Sequence, residues 1–371
     1  MACKVDGKII ISFRKYLLEF KNPSGTSRGI LTHKTSWFLE IADGAKSGVG
    51  ECSIIEGLSP DYENDLQYEA QLEKVRASLE IILNQAHFDF LFDTKKYRFL
   101  NKELIELFEN LRTYPSLIFG VEVALLDFFS TDKRFLYSNE FSKGSVSIPI
   151  NGLVWMGAEE FMREQIEQKL EAGFSTIKMK VGAIDFQKEL SLLKSIRKRF
   201  SASEITLRVD ANGAFSFEEA KDVLKELKAL EIHSIEQPIA VGQVAEMRNL
   251  CSENSIPIAL DEELIGVNSW EEKEKLLNQI APQFIILKPS LHGGIAGTYE
   301  WIKLAESLNI GWWMTSALES SIGLNAIAQF TGEFNVTIPQ GLGTGGLYTN
   351  NLPTDLVIEK GNLFRRLNYT N

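Results

Sequence analysis

Thr176-Ile177-Lys178-Met179-Lys180-Val181, Ile205-Thr206-Leu207-Arg208-Val209-Asp210, Ser234-Ile235-Glu236, Ile256-Pro257-Ile258-Ala259-Leu260-Asp261 and Phe284-Ile285-Ile286-Leu287-Lys288 repeat one pattern. Each is a short apolar, β-branched run carrying charge at or near its end, and amphipathic helical patterns separate them. Asp210, Glu236, Asp261 and Lys288 follow one another at 26, 25 and 27 residues, one strand-helix unit per step. Further runs at Val146 to Leu153, Gly311 to Thr315 and Val336 to Ile338 bring the count to about eight strands. That number favours a parallel α/β barrel, with a doubly wound open sheet as the alternative on periodicity alone.

In a barrel the carboxyl ends of successive strands meet at one mouth, so these charges can surround one substrate. Strand alternation puts Lys178 and Lys180 on the same face and Ile177, Met179 and Val181 on the other. Two ammonium groups turned inward are costly without acids, and clustered carboxylates repel one another without a cation. Asp210, Glu236 and Asp261 therefore read as oxygen ligands for Mg²⁺, with Mn²⁺ as a substitute. Lys288 ends a strand four units of chain beyond Lys180 and would face it across the mouth. A lysine in such a place acts either as a base or as a fixed cation.

Outside the repeat, residues 1–115 combine β-like runs at Ile9 to Phe13, Ser36 to Ile41 and Gly48 to Ile54 with helical stretches at Tyr62 to Leu83 and Lys102 to Leu111. This reads as an α+β capping domain, completed by residues 347–371, around a barrel of residues 116–346 that begins with the helical Ser116 to Phe129. The segment Lys21 to Gly29 is rich in Gly, Pro and Ser and connects the first two strands, either as an ordinary hairpin or as a loop that closes over the mouth. Arg28 is its best-placed charge for an anionic substrate.

Composition narrows the partners. The 371 residues are 44% hydrophobic and 24% charged, which suits a folded chain with more than one core. A net charge of -11 opposes broad capture of nucleic acid or an anionic membrane. No apolar run approaches the roughly 18 residues of a membrane span, and no signal peptide is evident, so a cytoplasmic location is expected. Cys3, Cys52 and Cys251 form no CxxC pair, and His33, His87, His233 and His292 are scattered, so a metal would be held by oxygen. The expected partner is a small anionic molecule, with homo-oligomerisation left open.

The ordered set Lys178-Met179-Lys180, Asp210-Ala211-Asn212, Glu236-Gln237-Pro238, Asp261-Glu262 and Lys288-Pro289 resembles the enolase superfamily, in its muconate-lactonizing subgroup. The resemblance implies a (β/α) barrel of the modified TIM type with an α+β cap. It also implies Lys180 and Lys288 as opposed acid/base residues, Lys178 as an electrostatic helper and the three acids as metal ligands, with Asn212 and Glu262 in support. A narrower likeness lies in residues Trp312 to Leu324 and Gln340 to Gly345, which resemble the o-succinylbenzoate synthase family of menaquinone biosynthesis. It implies conversion of 2-succinyl-6-hydroxy-2,4-cyclohexadiene-1-carboxylate to o-succinylbenzoate with loss of water. Lys180 would then move the proton and Lys288 would stabilise the enediolate, while Ser316 and the Gly341-Leu342-Gly343 turn would bind the succinyl carboxylate. Where some members carry Arg after the Asp-Ala-Asn motif, this chain has Gly213. Dipeptide epimerase, N-acylamino acid racemase and cycloisomerase chemistry use the same lysines and metal, and a catalytically silent barrel is the non-enzyme alternative. Against the first, residues 339–344 hold no Asp-x-Asp to grip a peptide amine.

Overall fold

The computed structural model describes residues 7–26, 29–182 and 185–367. Three antiparallel strands, Ile10–Thr26, Gly29–Ala42 and Ser47–Ser53, form a sheet in sequence order. The helix Asp65–Leu83 packs on it through Tyr68, Leu72, Val75 and Leu79, a three- and four-residue spacing that makes one buried stripe. Asn64 caps this helix by accepting from the Gln67 amide.

The helix Pro115–Phe129 has every residue buried, and its sequence is accordingly apolar except for Ser116, Glu122 and Asp127, whose side chains are hydrogen-bonded to other parts of the chain. It lies against the strand Ser47–Ser53 at backbone contact. A Cβ on Gly50 would stand 1.8 Å from the Gly120 carbonyl oxygen, so this approach requires glycine.

Seven parallel strands then run in sequence order: Gly152–Val154, Thr176–Lys180, Thr206–Asp210, Ser234–Glu236, Ile258–Leu260, Phe284–Leu287 and Gly311–Met314. Helices follow the strands on the outside, two of them, Phe217–Lys228 and Trp270–Ile280, started by full capping boxes at Ser216 and Ser269. The ring closes through single bridges. Gln340 pairs in parallel with Ile150, and Gly341 with Thr315, so residues 340–341 occupy the eighth position. The fold is a parallel (β/α) barrel with an α+β cap.

Two expectations change in detail. Val336 to Ile338 forms no strand, and the seam lies just past Pro339, which has no N–H to give, where the Gln340 amide bonds to the Pro149 carbonyl at 2.8 Å. The run Val146 to Leu153 is split: Ile148–Pro149 joins a small antiparallel sheet with Leu356–Glu359 and Asn362–Arg365, and only Gly152–Val154 enters the barrel. Of the two readings of the segment after Lys21, the described residues show the hairpin. Its first strand continues to Thr26, with a register shift between Glu19 and Ser24 where the Lys21 amide bonds instead to Leu347. Arg28 lies outside the described residues.

Candidate active site

Register decides which charges meet. Lys180 pairs with Asp210, and Asp210 with Glu236, across neighbouring parallel strands, so side chains at these strand ends stand side by side. Lys178 Nζ donates to Asp210 Oδ2 at 3.0 Å and to Glu236 Oε2 at 2.6 Å. Lys180 Nζ donates to the same Asp210 oxygen at 2.9 Å and to Asn212 Oδ1 at 2.6 Å. Asn212 passes the contact on, its Nδ2 donating to Glu262 Oε1 at 2.8 Å. Across the mouth Lys288 Nζ meets Asp261 Oδ2 at 2.6 Å.

The electrostatics follow from burial set against these pairings. Burial opposes the charge on Asp210, yet Lys178, Lys180 and Lys288 hold it well below the usual carboxylate range. Burial likewise works against Lys178 and Lys288, but Asp210 and Glu236 keep the first protonated, and Asp261 and Glu262 the second. Glu236 is pushed up to about 8, first by burial and then by Asp210 and Asp261, although Lys178 opposes the shift. The 2.6 Å contact with Lys178 is charge-assisted, so the upward push expresses burial first and the neighbouring carboxylates second, set against a retained ion pair.

The arrangement suits a hard cation. Glu236 Oε1 and Asp261 Oδ1 are buried with no hydrogen-bond partner, on adjacent strand ends beside Asp210. Buried carboxylate oxygens of that kind are costly unless a donor or a cation satisfies them. Among the described residues no three Asp, Glu, His or Cys side chains are already drawn into a closed cage, because the lysines stand between them.

A cavity of about 470 Å³ opens above this charged floor. Lys178, Lys180, Asp210, Asn212 and Lys288 line it, whereas Glu236 and Asp261 are fully buried behind the lysines. Ser316, Gly341 and Gly343 line it too. The Gly341 amide, however, bonds to the Met314 carbonyl at 2.7 Å to close the barrel, so this donor is already committed. Ser316 Oγ and Thr344 Oγ1 stand 2.6 Å apart.

Sequence reading did not single out several residues around the site. The apolar wall is built by Leu31, Ile55 and Leu58 from the cap and by Leu153, Trp155 and Leu318 from the barrel. Arg208 is buried inside the barrel, stacked 4.1 Å from the Trp313 ring centre and bonded to the Pro339 carbonyl. Its place two residues before Asp210 on the same strand face was a readable signal. The cap residues had none, since only the packing of the sheet on the barrel brings them there.

Comparison with known proteins agrees with this geometry. Residues 161–362 match a family model described as Enolase C-terminal domain-like. The chain is 46% identical over 363 residues to o-succinylbenzoate synthase of Desulfotalea psychrophila strain LSv54, covering 95% of this chain and 97% of that protein. The crystal structure of MenC from Desulfotalea psychrophila LSv54 superposes with a TM-score of 0.82 and 40% identity, over 96% of this chain and 100% of that one. The muconate lactonizing enzyme of Pseudomonas putida, at 22% identity and a TM-score of 0.72 over 95% and 93% of the two chains, shares the fold.

Proposed function

We propose that this chain, which belongs to the enolase C-terminal domain-like family, catalyses the syn-dehydration of 2-succinyl-6-hydroxy-2,4-cyclohexadiene-1-carboxylate to o-succinylbenzoate. The observation that carries the reading is the placement of Lys180 and Lys288. One stands at the end of the second barrel strand and the other just past the sixth, facing each other over a cavity with an apolar wall and a hydroxyl-bearing end. Near-full-length identity to a protein of that name supports the specific substrate.

Asp210, Glu236 and Asp261 would hold a divalent ion, Mg²⁺ or Mn²⁺. When bound, such an ion offsets the negative charge that builds on the substrate carboxylate as the adjacent carbon loses its proton. Lys180 takes that proton. In its neutral form the amine has two N–H groups, matched by Asn212 Oδ1 and Asp210 Oδ2, and a lone pair left for the substrate. The same nitrogen, now carrying the proton, delivers it to the departing hydroxyl on the same face, and water leaves. Lys288, kept protonated by Asp261 and Glu262, contributes a fixed positive charge from the opposite side. Ser316 and Thr344 offer hydroxyls to the succinyl carboxylate, and Gly343 a close backbone approach, at an end of the pocket where residues 339–344 carry no acid to hold a peptide ammonium.

The test is a substrate panel. Purified protein with Mg²⁺ is offered the cyclohexadiene, a set of dipeptides and a set of N-acylamino acids, and aromatic product or racemisation is followed. The reading expects aromatic product at a kcat/KM well above that for any other substrate. Dipeptide epimerisation without dehydration would replace it, and no turnover on any member would favour a silent scaffold.

A further inference from the structure

The motif Leu318-Glu319-Ser320-Ser321-Ile322-Gly323 does no chemistry in the reaction above, yet it carries one buried carboxylate, Glu319, and binds a second, Glu51, outside the mouth. Glu51, from the last strand of the capping sheet, is fully buried. Its Oε1 accepts from the Ser320 amide at 2.9 Å, and its Oε2 from Ser320 Oγ at 2.5 Å and the Gly323 amide at 3.0 Å. A residue of the capping sheet thus supplements Ser320, whose hydroxyl caps the Ile322 amide, at the N-terminus of the barrel helix Ser321–Thr331. Gly323 is needed for this contact, since a Cβ there would lie 2.7 Å from Glu319 Cβ and 3.0 Å from Glu51 Oε2.

Glu319 is also fully buried, and its Oε1 accepts from Ser290 Oγ at 2.5 Å. Ser290 sits two residues past Lys288, in a turn closed by the Leu291 amide on the Lys288 carbonyl at 2.8 Å. The other Glu319 oxygen has no hydrogen-bond partner. Lys34, 5% exposed on the central strand of the capping sheet, reaches Glu51 through Ser36 and interacts electrostatically with both acids without a direct ion pair. Its Nζ donates to Ser36 Oγ at 3.1 Å and Ser53 Oγ at 2.5 Å, and Ser36 Oγ donates in turn to Glu51 Oε1 at 2.7 Å.

We infer that Lys34 is a positioning residue: its buried ammonium, supplied by the cap, holds Glu51 and Glu319 in the orientations that fix the Lys288 turn and the pocket wall at residues 315–318. Two buried carboxylates deprived of their cation repel each other, and one must take up a proton or move. Burial lowers Lys34 and raises Glu319, and each opposes that shift in the other. The wall itself needs such support. Leu318 has a left-handed φ of 60°, is held by Tyr348 Oη on its carbonyl at 2.6 Å, and lines the cavity with Thr315, Ser316 and Ala317. The cap therefore contributes an internal cross-link to the Lys288 side of the site as well as a cover over it.

This inference rests on the dehydration reading, and the test separates the two. Steady-state dehydration is measured for metal-loaded wild type, Lys34→Met, Ser290→Ala and Lys34→Met/Glu319→Gln, with circular dichroism for folding and calorimetry for Mg²⁺ affinity. Lys34→Met is expected to lose at least tenfold in kcat, with KM and Mg²⁺ affinity each within threefold of wild type. Ser290→Ala should lose kcat in the same way, and the double variant should be no slower than Lys34→Met. Wild-type kcat in folded Lys34→Met overturns the inference, as does a double variant slower than Lys34→Met. If Lys34→Met does not fold, Ser290→Ala decides, and wild-type kcat there overturns the inference. A wild-type protein without dehydration activity overturns the functional reading and this inference with it.

Discussion

Asp210 Oδ2 receives both Lys178 and Lys180, and this one shared oxygen ties the acids proposed to hold the metal to the lysine proposed to move the proton. Removing charge there has two separable effects. Asp210→Asn or Glu236→Gln should weaken Mg²⁺ binding by at least about 100-fold, since even outer partners of a metal site are worth roughly 10–100-fold. Calorimetry measures that loss, and unchanged circular dichroism would show the barrel intact. Lys288 is assigned only a charge, so Lys288→Ala should cost kcat heavily while Lys288→Arg keeps a measurable fraction of it. Equal loss in both, from single-turnover rates, would mean that the ammonium itself takes part in proton transfer. The lysines and acids at the mouth were legible in the sequence because a strand alternates and each stands at a strand end. Lys34, Glu51 and Glu319 were not, because their partners come from separate parts of the chain through the contact of cap and barrel.

Elements report the same contrast. Strands bounded by helices were readable as apolar runs, and Ser234–Glu236 and Phe284–Leu287 fall at the expected residues. The closing seam was not readable, since Gln340 and Gly341 make single bridges and the β-branched residues beside them make none. The fit of the helix Pro115–Phe129 against the cap strand is equally a tertiary matter. Gly50→Ala, with a Cβ 1.8 Å from a carbonyl oxygen, should destabilise by about 1–3 kcal/mol in denaturant unfolding. Two histidines, His292 buried and His233 half-buried, give the elements a pH dependence. Burial holds His292 well below its ordinary 6.5, and Lys288 and Lys273 add to the effect, while burial takes His233 down to about 4. The folded state then binds fewer protons than the unfolded chain below about pH 6.5, so stability should fall as pH falls through that value. Each histidine contributes a slope that is about half of 1.4 kcal/mol per pH unit at that value and approaches the whole of it about one unit lower. Unfolding midpoints between pH 5.5 and 7.5 test this, and His292→Gln, which keeps an acceptor for the Lys288 amide, should flatten the decline.

At the scale of the whole molecule, one cavity is shared by two units. Leu31, Ile55, Glu56, Gly57 and Leu58 come from the cap and meet the strand ends of the barrel, so neither unit alone makes the pocket. The hairpin arms, residues 24–26 and 29–31, are paired strands, with Gly25 bridged to Met156 of the barrel, and the cover is therefore built into the sheet. Barrel and cap were foreseeable from the repeat and from what precedes it. The shape of the pocket was not, because the order of apolar residues does not say which of them face a ligand. The central claim is that Lys180 moves the proton in a metal-dependent dehydration at this mouth. Its most direct measurement is single-turnover formation of o-succinylbenzoate by Mg²⁺-loaded wild type and Lys180→Ala side by side, with matched circular dichroism. The account predicts product from the wild type and a loss of roughly 10²–10⁴-fold or more in the folded variant. Product formed by Lys180→Ala at the wild-type rate would contradict it.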